Sequence, residues 1–255
     1  MNIALSFDVE EDLHSPTFES LKLGIPRLLK ILENRNIKVT FFVPAKLLEK
    51  FPNIFLKLEK QGHEIALHGY EHERFDDLSI KEKQRRIKES IKIYKKIFDK
   101  NPEGFRAPQH SIDSATLKLL KRNNFIYDSS YTPFNFLQLF FFPRKFKLWI
   151  KGFFQPLCVN KLEEGIYEIP ISSFFVPFVS LTLRIFSRRI LKIYLFFVKL
   201  FNRDIIFYAH SWDFIELPQS KIDRNFPYFK LTENLDFLIN DFFKDKKFLR
   251  LEELI

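Results

Sequence analysis

Residues 3–12 read IALSFDVEED, an apolar stretch that runs directly into a cluster of carboxylates. The apolar part, Ile3–Phe7, has the length and composition of a buried strand. Side chains alternate between the two faces of a strand, so Asp8 and Glu10 lie on one face and Val9 points away. Paired carboxylates at a strand's carboxyl end indicate a functional site if the strand belongs to a barrel. A solvent-exposed acidic loop is the alternative, and it explains the acids after Glu10 better than it explains Asp8.

The rest of the chain repeats this alternation of short apolar runs and amphipathic segments. Strands separated by helices predict a parallel sheet with right-handed crossovers, and about seven such units close a barrel more readily than they form an open sheet. The predicted strands are 3–7, 39–43, 64–67, 104–107, 125–128, 166–171 and 204–209. The predicted helices are 21–33, 52–60, 80–100, 114–123 and 232–243.

Length and composition limit the classes of protein to consider. The chain has 255 residues and 46% hydrophobic content, which suits one globular domain over residues 1–255 and excludes wholesale disorder. Its single cysteine, Cys158, excludes a disulfide framework and a multi-cysteine metal site. The N-terminus shows no basic start followed by a long apolar stretch, so we expect a cytoplasmic protein.

The middle of the chain, at about 134–203, differs from the rest in charge and aromatic content. It holds eleven Lys and Arg residues against three carboxylates, and fifteen of the 33 phenylalanines. We interpret it as an insertion. Either its aromatic residues pack on the barrel, or it forms a surface that associates peripherally with an anionic membrane. Nucleic acid is not expected as a partner, because no recognisable nucleic-acid-binding module accompanies the charge.

Two histidines follow the third predicted strand, in the stretch HGYEH of residues 68–72. His68 and His72 share a face if a helical turn begins there. With one carboxylate they would form a metal site that leaves coordination positions open for water. The spacing alone is weak evidence, but its position at a strand end strengthens it.

Three later strands also end in polar residues. Arg106 follows the fourth strand and could pair with a carboxylate, while Pro108 would stiffen the loop and present the backbone N–H groups after it. Asp128 ends the fifth strand, and His210 directly follows the apolar run before it. Each residue alone is more readily explained as structural. Five polar ends on the same side of successive strands predict a single site.

With these stretches in order, the chain resembles the polysaccharide deacetylases, the NodB-homology group of metal-dependent carbohydrate esterases. The matching stretches cover most of the chain and are SFDVEED (6–12), TFFV (40–43), GHEIALHGYEH (62–72), FRAP (105–108), YDSS (127–130) and FYAHSW (207–212). The resemblance implies a distorted (β/α)7 barrel. It also implies hydrolysis of an N-acyl group, usually N-acetyl, from an amino sugar, with zinc or a similar divalent metal.

The resemblance also implies a set of metal ligands. His68 and His72 match the family's metal-binding histidines, and Asp8 matches its catalytic base. The family commonly has a second aspartate as a ligand where this chain has Val9. A known sub-pattern places the acidic ligand one residue later, which makes Glu10 the third ligand. Whether Asp8 or Glu10 is the carboxylate ligand stays open at this point.

The remaining roles follow from the same resemblance. Arg106 matches the residue that orients the base, His210 matches the general acid, and Asp128 resembles the residue that holds this late histidine. Trp212 would line the sugar groove. A backbone N–H after Pro108, first that of Gln109, would bind the oxyanion. His110 stands where the family more often has an aromatic or small residue, so its role is open.

Substrate identity is less determined than reaction type. The basic, Phe-rich middle region favours an anionic substrate, such as a polyprenyl-phosphate-linked or nucleotide-linked amino sugar. The stretch GIPRLL at 24–29 also resembles the lipid-linked sugar deformylase branch. Two other classes are kept open: a non-catalytic barrel that binds sugars, and a hydrolase of a small cyclic amide.

Overall fold

The computed structural model describes residues 1–13, 15–133, 154–217 and 224–255. Its strands are β1 Ile3–Asp8, β2 Thr40–Val43, β3 Glu64–Leu67, β4 Gly104–Phe105, β5 Tyr127–Asp128, β6 Asn160–Lys161, β7 Tyr167–Glu168, β8 Ser173–Phe174, β9 Val176–Pro177, β10 Ile205–His210 and β11 Phe248–Leu249. Its α-helices are α1 Ile25–Glu33, α2 Ala45–Lys50, α3 Pro52–Lys60, α4 Ile80–Phe98, α5 Ser114–Arg122, α6 Ser180–Ile185, α7 Arg188–Phe201 and α8 Tyr228–Phe237.

Within the described residues, the main sheet contains a row of parallel strands in the order β10-β1-β2-β3-β4-β5-β7. The antiparallel β6 pairs with β7, and β11 pairs with the start of β1. The chain beyond β7 returns to β10, where Ser172 N–H donates to Ile206 O at 3.1 Å and Tyr208 N–H donates to Phe178 O at 3.2 Å. These bonds link the two sides of a curled sheet. The predicted α/β class and distorted (β/α)7 barrel are confirmed.

The sheet has two apolar layers, because side chains alternate between its faces. On β1, Ile3, Leu5 and Phe7 join the large core between the strands and the surrounding helices. Ala4 instead joins a smaller cluster inside the barrel. Ser6 and Asp8 share the inward direction of Ala4, which aims the polar end of β1 into the barrel mouth.

Side-chain caps account for the start of two of the predicted helices, those at 80–100 and 114–123. The Ser79 hydroxyl accepts a hydrogen bond from the Glu82 N–H at 3.3 Å, and α4 begins one residue later. The Asp113 carboxylate accepts one from the Thr116 N–H at 2.8 Å at the start of α5. Such caps satisfy backbone donors that the first helical turn leaves unpaired.

The middle region at 134–203 contains barrel elements as well as added ones. Residues 134–153 lie outside the described part. Beyond them, β7 is the seventh strand of the sheet, and α7 precedes β10 as a crossover helix. The β8–β9 hairpin and the short helix α6 are additions that the sequence patterns did not predict. Within the described ranges, no helix is long and apolar enough to cross a bilayer.

Candidate active site

The carboxyl ends of the strands bring most of the predicted polar residues together. Asp8 and His210 are register partners on β1 and β10. His68 follows β3 directly, and Arg106 follows β4. All four lie at one end of the barrel because parallel strands present their carboxyl ends on the same side.

Arg106 holds the centre of this end and is completely buried. Its Nη1 donates to Asp8 Oδ1 at 2.8 Å, and its Nη2 donates to the hydroxyls of Ser6 and Ser129 at 2.9 and 2.8 Å. Its Nε donates to the Ser129 carbonyl at 2.8 Å, and the guanidinium lies over the Phe42 ring, 4.0 Å from the centroid. A buried guanidinium with this many partners fixes the Asp8 carboxylate in place.

Asp8 remains ionised despite its burial. Burial would raise the pKa of Asp8, but the charges of His68, Arg106 and His210 outweigh it and lower the pKa to about 2. One carboxylate oxygen faces Arg106, and the other, Oδ2, lies 3.4 Å from His68 Nε2. Asp8 therefore presents a charged, oriented oxygen beside the histidine pair.

The loop after β3 brings His68 and His72 together without the helical turn that the spacing suggested. Residues 70–72 form bends, with Gly69 at φ 74° and His72 at φ 73°. The Glu73 carboxylate accepts from the N–H of Tyr70 at 3.2 Å and from that of Glu71 at 2.6 Å, which stabilises the loop. The two imidazole rings lie 5.4 Å apart.

Glu10, His68 and His72 fit a divalent metal. Their ligand atoms all lie within 4.8 Å of one another. His68 Nδ1 is 2.8 Å from the Arg106 carbonyl oxygen, which leaves Nε2 as its ligand atom, as is usual for metal-binding histidines. Glu10 Oε2 is buried and closely contacts His72 Nε2, yet it accepts no hydrogen bond of acceptable geometry. A buried carboxylate oxygen facing an imidazole nitrogen in this way suits a shared cation, and the set favours Glu10 over Asp8 as the carboxylate ligand.

Glu10 and His72 also influence each other's charge. Burial would raise the pKa of Glu10, but the close contact with His72 and the charges of His210, His72 and His68 lower it to about 2. Burial lowers the pKa of His68 more than the charges of Asp8 and Glu10 raise it. Glu10 is thus ionised and His68 favours its neutral form, and both are the forms that bind a metal.

His210 lies across the site from the histidine pair, between a carboxylate and a tyrosine. Its Nδ1 is 3.5 Å from Asp213 Oδ2, and its Nε2 is 2.7 Å from the Tyr208 hydroxyl and 3.4 Å from Glu10 Oε1. Burial lowers the pKa of His210, but the hydrogen bond that its ring donates to Asp213 and the charges of Glu10, Asp213 and Asp8 raise it above its ordinary value overall. His210 therefore favours the protonated form that a general acid needs.

The structure assigns the partner of His210 to Asp213, which corrects the role expected for Asp128. Asp128 instead accepts from the Ser130 hydroxyl at 2.8 Å and is the register partner of Glu168. Burial and the charge of Asp128 raise the pKa of Glu168 well above its usual range. Burial also raises the pKa of Asp128, to about 6. The β5–β7 pairing, which sequence spacing does not show, engages Asp128 away from His210.

The three predicted substrate-binding residues differ in their surroundings. Trp212 stacks on the His210 ring with centroids 4.1 Å apart, and its Nε1 donates to Glu10 Oε1 at 3.3 Å. Pro108 is buried, whereas Gln109 is exposed, has φ 53° and accepts from Arg74 at 3.3 Å through its side chain. Trp212 thus lies within the site, and binding of an oxyanion by the N–H of Gln109 stays a prediction.

His110, whose role the sequence left open, is a half-buried neighbour of the site. Its Nδ1 lies 2.9 Å from the Ser130 carbonyl oxygen, and its ring packs edge-on against Tyr208. Burial and the charge of Arg106 lower the pKa of His110 to about 4, so the ring is neutral at neutral pH. It therefore acts as a support for Tyr208.

An open cavity of about 500 Å³ begins at Glu10, His72 and Trp212 and extends along α2. Apolar side chains and two lysines line it further out. The remaining lining residues are Glu11, Asp12, Leu13, Phe18, Pro44, Lys46, Leu47, Lys50 and Glu71. The site therefore opens into a groove wide enough for a sugar and not into the barrel interior.

Sequence reasoning did not assign a role to Asp213 or to Tyr208. Asp213 follows His210 by three residues, and its carboxylate accepts from the His210 N–H at 2.8 Å. That spacing is the available signal, because a carboxylate three residues after a turn begins commonly caps it. Tyr208 lies two residues before His210 on the same strand, and strand periodicity alone places both on one face.

Comparison with known proteins agrees with this geometry. A model of the polysaccharide deacetylase family matches residues 2–127. A peptidoglycan deacetylase-like protein from Gibberella zeae is 39% identical over 155 residues, covering 56% of this chain and 46% of the relative. A peptidoglycan deacetylase from Helicobacter pylori is 28% identical over 169 residues, covering 64% of this chain and 57% of the relative. The chain spans about half the length of these curated relatives.

A solved structure of a peptidoglycan N-acetylglucosamine deacetylase has the same fold. It superposes with a TM-score of 0.60 at 18% identity, covering 100% of this chain and 87% of that one. The family match falls on the residues that supply Asp8, Glu10, His68, His72 and Arg106. Together the motifs, the fold and the relatives support the polysaccharide deacetylases as the family that this chain resembles.

Proposed function

We propose that this chain is a metal-dependent hydrolase that removes an N-acyl group, in the first instance N-acetyl, from an amino sugar. The observation that carries the proposal is the placement of Asp8 and His210 on either side of the Glu10–His68–His72 set, with opposite shifts in pKa. A base and an acid held in opposite protonation states are what amide hydrolysis requires.

A divalent metal on Glu10, His68 and His72 would lower the pKa of a water molecule and polarise the acyl carbonyl. We propose zinc, because two imidazoles and one carboxylate match its catalytic sites. The carboxylate of Asp8, held by Arg106, accepts a proton from the attacking water. His210 donates a proton from Nε2 to the amine nitrogen as the C–N bond breaks. Water is consumed, and a carboxylic acid and a free amino sugar are formed.

The substrate class is supported by the groove and by the relatives. The groove starts at Trp212, whose ring could stack on a sugar face, and it runs past Leu47 and Phe18. The two curated relatives are named for peptidoglycan deacetylation. We infer an N-acetylated amino sugar in a glycan or glycoconjugate as the substrate class.

We further propose an anionic form of this substrate, linked to a polyprenyl phosphate or a nucleotide. The support is charge: the chain carries a net +9, and its 134–203 region holds eleven basic side chains against three acidic ones. Such a field raises the local concentration of anionic ligands. Peripheral association with an anionic membrane would bring the enzyme to the lipid-linked version.

The test is acetate release by the zinc-loaded protein. The substrates are an N-acetylglucosamine oligomer, peptidoglycan fragments and a nucleotide-linked N-acetylglucosamine. We expect release from at least one of them, and we expect Asp8→Asn to lose it by about 100-fold or more while keeping its metal. Activity on small cyclic amides with none on amino sugars would contradict the proposal. So would sugar binding without any hydrolysis.

A further inference from the structure

Helix α7 exposes an apolar face in addition to the one that it buries. Leu191, Tyr194, Leu195 and Val198 are buried against the barrel. The opposite side is also apolar, with fractional exposures between 37% and 61%. Its residues, which we call the outer face of α7, are Ile190, Ile193, Phe196, Phe197, Leu200 and Phe201. A surface helix of a globular protein normally carries polar residues there, so this face is suited to a partner.

The outer face is bordered by positive charge alone. The sequence of α7, RRILKIYLFFVKLF, contains four basic residues and no carboxylate. Arg188, Lys192 and Lys199 recur at helical spacing along one border, where they lie over the rings of Phe237 and Phe242. Arg189 is exposed at the start of the helix. Exposed Ile, Leu and Phe flanked by Lys and Arg are the composition of a helix that lies in a membrane interface.

The position of α7 relates this face to the active site. The helix ends at Phe201 and β10 begins at Ile205, so α7 runs antiparallel to β10. Its N-terminal end therefore lies towards the carboxyl ends of the strands. The preceding helix α6 touches the site directly, since Arg184 Nη2 donates to the Asp213 carbonyl at 2.7 Å. A surface bound along α7 would thus reach towards the mouth of the groove.

We propose that the outer face of α7 binds the surface of an anionic lipid bilayer. The apolar side chains enter the headgroup region, and the four cations contact acidic headgroups. A second copy of the chain fits less well, because α7 offers no carboxylate to the cations of another copy and each copy carries +9. The proposal deepens the lipid-linked version of the proposed function, although lipid binding itself does not depend on hydrolysis.

The test is cosedimentation of the full chain with vesicles at low salt. The vesicles are phosphatidylcholine alone or phosphatidylcholine with phosphatidylglycerol. The variants Ile193→Glu and Phe196→Glu place a carboxylate on the outer face. Ile80→Glu is the matched control, because Ile80 is 65% exposed at the start of α4, on a different element. Circular dichroism checks that each variant is folded.

We expect wild type and Ile80→Glu to pellet with the anionic vesicles only, and added salt to release them. We expect Ile193→Glu and Phe196→Glu to bind the same vesicles about tenfold more weakly or worse. Absence of wild-type binding would overturn the proposal, and so would equal losses in Ile80→Glu. A wild-type dimer that Ile193→Glu dissociates, without vesicle binding, would identify a second copy as the partner instead.

Acetate release from the N-acetylglucosamine oligomer, the peptidoglycan fragments and the nucleotide-linked N-acetylglucosamine, by the same preparations without vesicles, separates this proposal from the catalytic one. Vesicle binding without hydrolysis would remove the catalytic proposal and leave the membrane surface. Hydrolysis without vesicle binding would remove the membrane proposal and leave the catalytic one.

Discussion

Asp213 Oδ2 accepts a hydrogen bond from the His210 N–H at 2.8 Å and lies 3.5 Å from Nδ1 of the same histidine. Arg184 in turn lies 3.2 Å from the other Asp213 oxygen. This contact orients the imidazole, so that its Nε2 faces Tyr208 and Glu10. A connected chain of contacts therefore runs from Arg184 through Asp213 to His210, and it ends at the Glu10–His68–His72 set.

The Asp213 contact predicts how activity depends on pH. Asp213 raises the pKa of His210, so Asp213→Asn should lower it and move the alkaline limb of the kcat/KM profile to lower pH. We also expect kcat to fall by about 100-fold, the usual worth of a general acid. Asp128→Asn is the control, and it should leave that limb in place. A limb that moves in Asp128→Asn and not in Asp213→Asn would restore the role first expected for Asp128.

The Arg106–Asp8 pair predicts a large effect on stability. Arg106→Ala would leave the Asp8 carboxylate buried without its partner, which typically costs about 3–5 kcal/mol. Arg85→Ala is a control on exposed ion pairs in α4, and it should lower the free energy of unfolding far less. Urea unfolding measures both. Adding Asp8→Asn to Arg106→Ala should recover part of the loss, and equal losses in the two single variants would contradict this account.

From the backbone conformation of Gly69 we predict that a larger residue at this position weakens metal binding. It has φ 74°, and a Cβ there would lie 3.0 Å from Pro108 Cγ, in the loop between His68 and His72. Gly69→Ala should displace this loop and weaken metal affinity by about 10–100-fold, comparable to a lost supporting contact. Gly62→Ala is the control, since Gly62 has φ 90° in a more open position away from the site. Competition with a metal-binding dye gives both affinities, and equal values in the two variants would contradict this prediction.

From the buried carboxyl of Glu64, inside the barrel, we predict that the free energy of unfolding depends on pH. Burial and the charge of Glu252 raise the pKa of Glu64 to about 7, while hydrogen bonds from Thr40 and Tyr127 oppose the shift. The protonated carboxyl of Glu64 stabilises the fold. This contribution is fully present below the pKa of about 4.5 that the residue has in the unfolded chain, and it is lost as pH rises through 7. The slope of the free energy of unfolding against pH would reach at most about 1.4 kcal/mol per pH unit.

Glu64→Gln should remove this pH dependence while keeping the size and most hydrogen bonds of the side chain. Urea unfolding between pH 5 and about 8 measures the effect. Glu89→Gln, on the exposed side of α4, should keep the wild-type slope. A Glu64→Gln protein as pH-dependent as wild type would show that other groups set the slope.

The local sequence pattern was sufficient to predict the strands that carry most of the site residues. The apolar run before Asp8 predicts β1 to within one residue, and the TFFV and EIAL stretches predict β2 and β3. These strands are buried on both faces, which makes their sequences continuous apolar runs. His68 and His72 come together without a helical turn, because Gly69 and His72 adopt left-handed backbone conformations in a loop.

The remaining predictions were limited by strand pairing between distant parts of the chain and by a helix that is apolar on two sides. Asp128 was expected beside His210, but its register with Glu168 depends on a strand that follows about forty residues later in the chain. Helix α7 was not predicted, because apolar residues cover most of its surface and its basic residues form only a narrow border. The same feature that hid the helix in the sequence marks its outer face as a partner surface in the structure.

The most direct test of the central claim is the metal content of the purified, zinc-reloaded protein and of two neighbouring variants. Glu10→Gln removes a ligand, while Glu11→Gln changes an exposed carboxylate beside it. We expect about one metal ion per chain in wild type and Glu11→Gln, and loss of it in Glu10→Gln. A folded wild type without metal, or a Glu10→Gln protein that keeps it, would contradict the account.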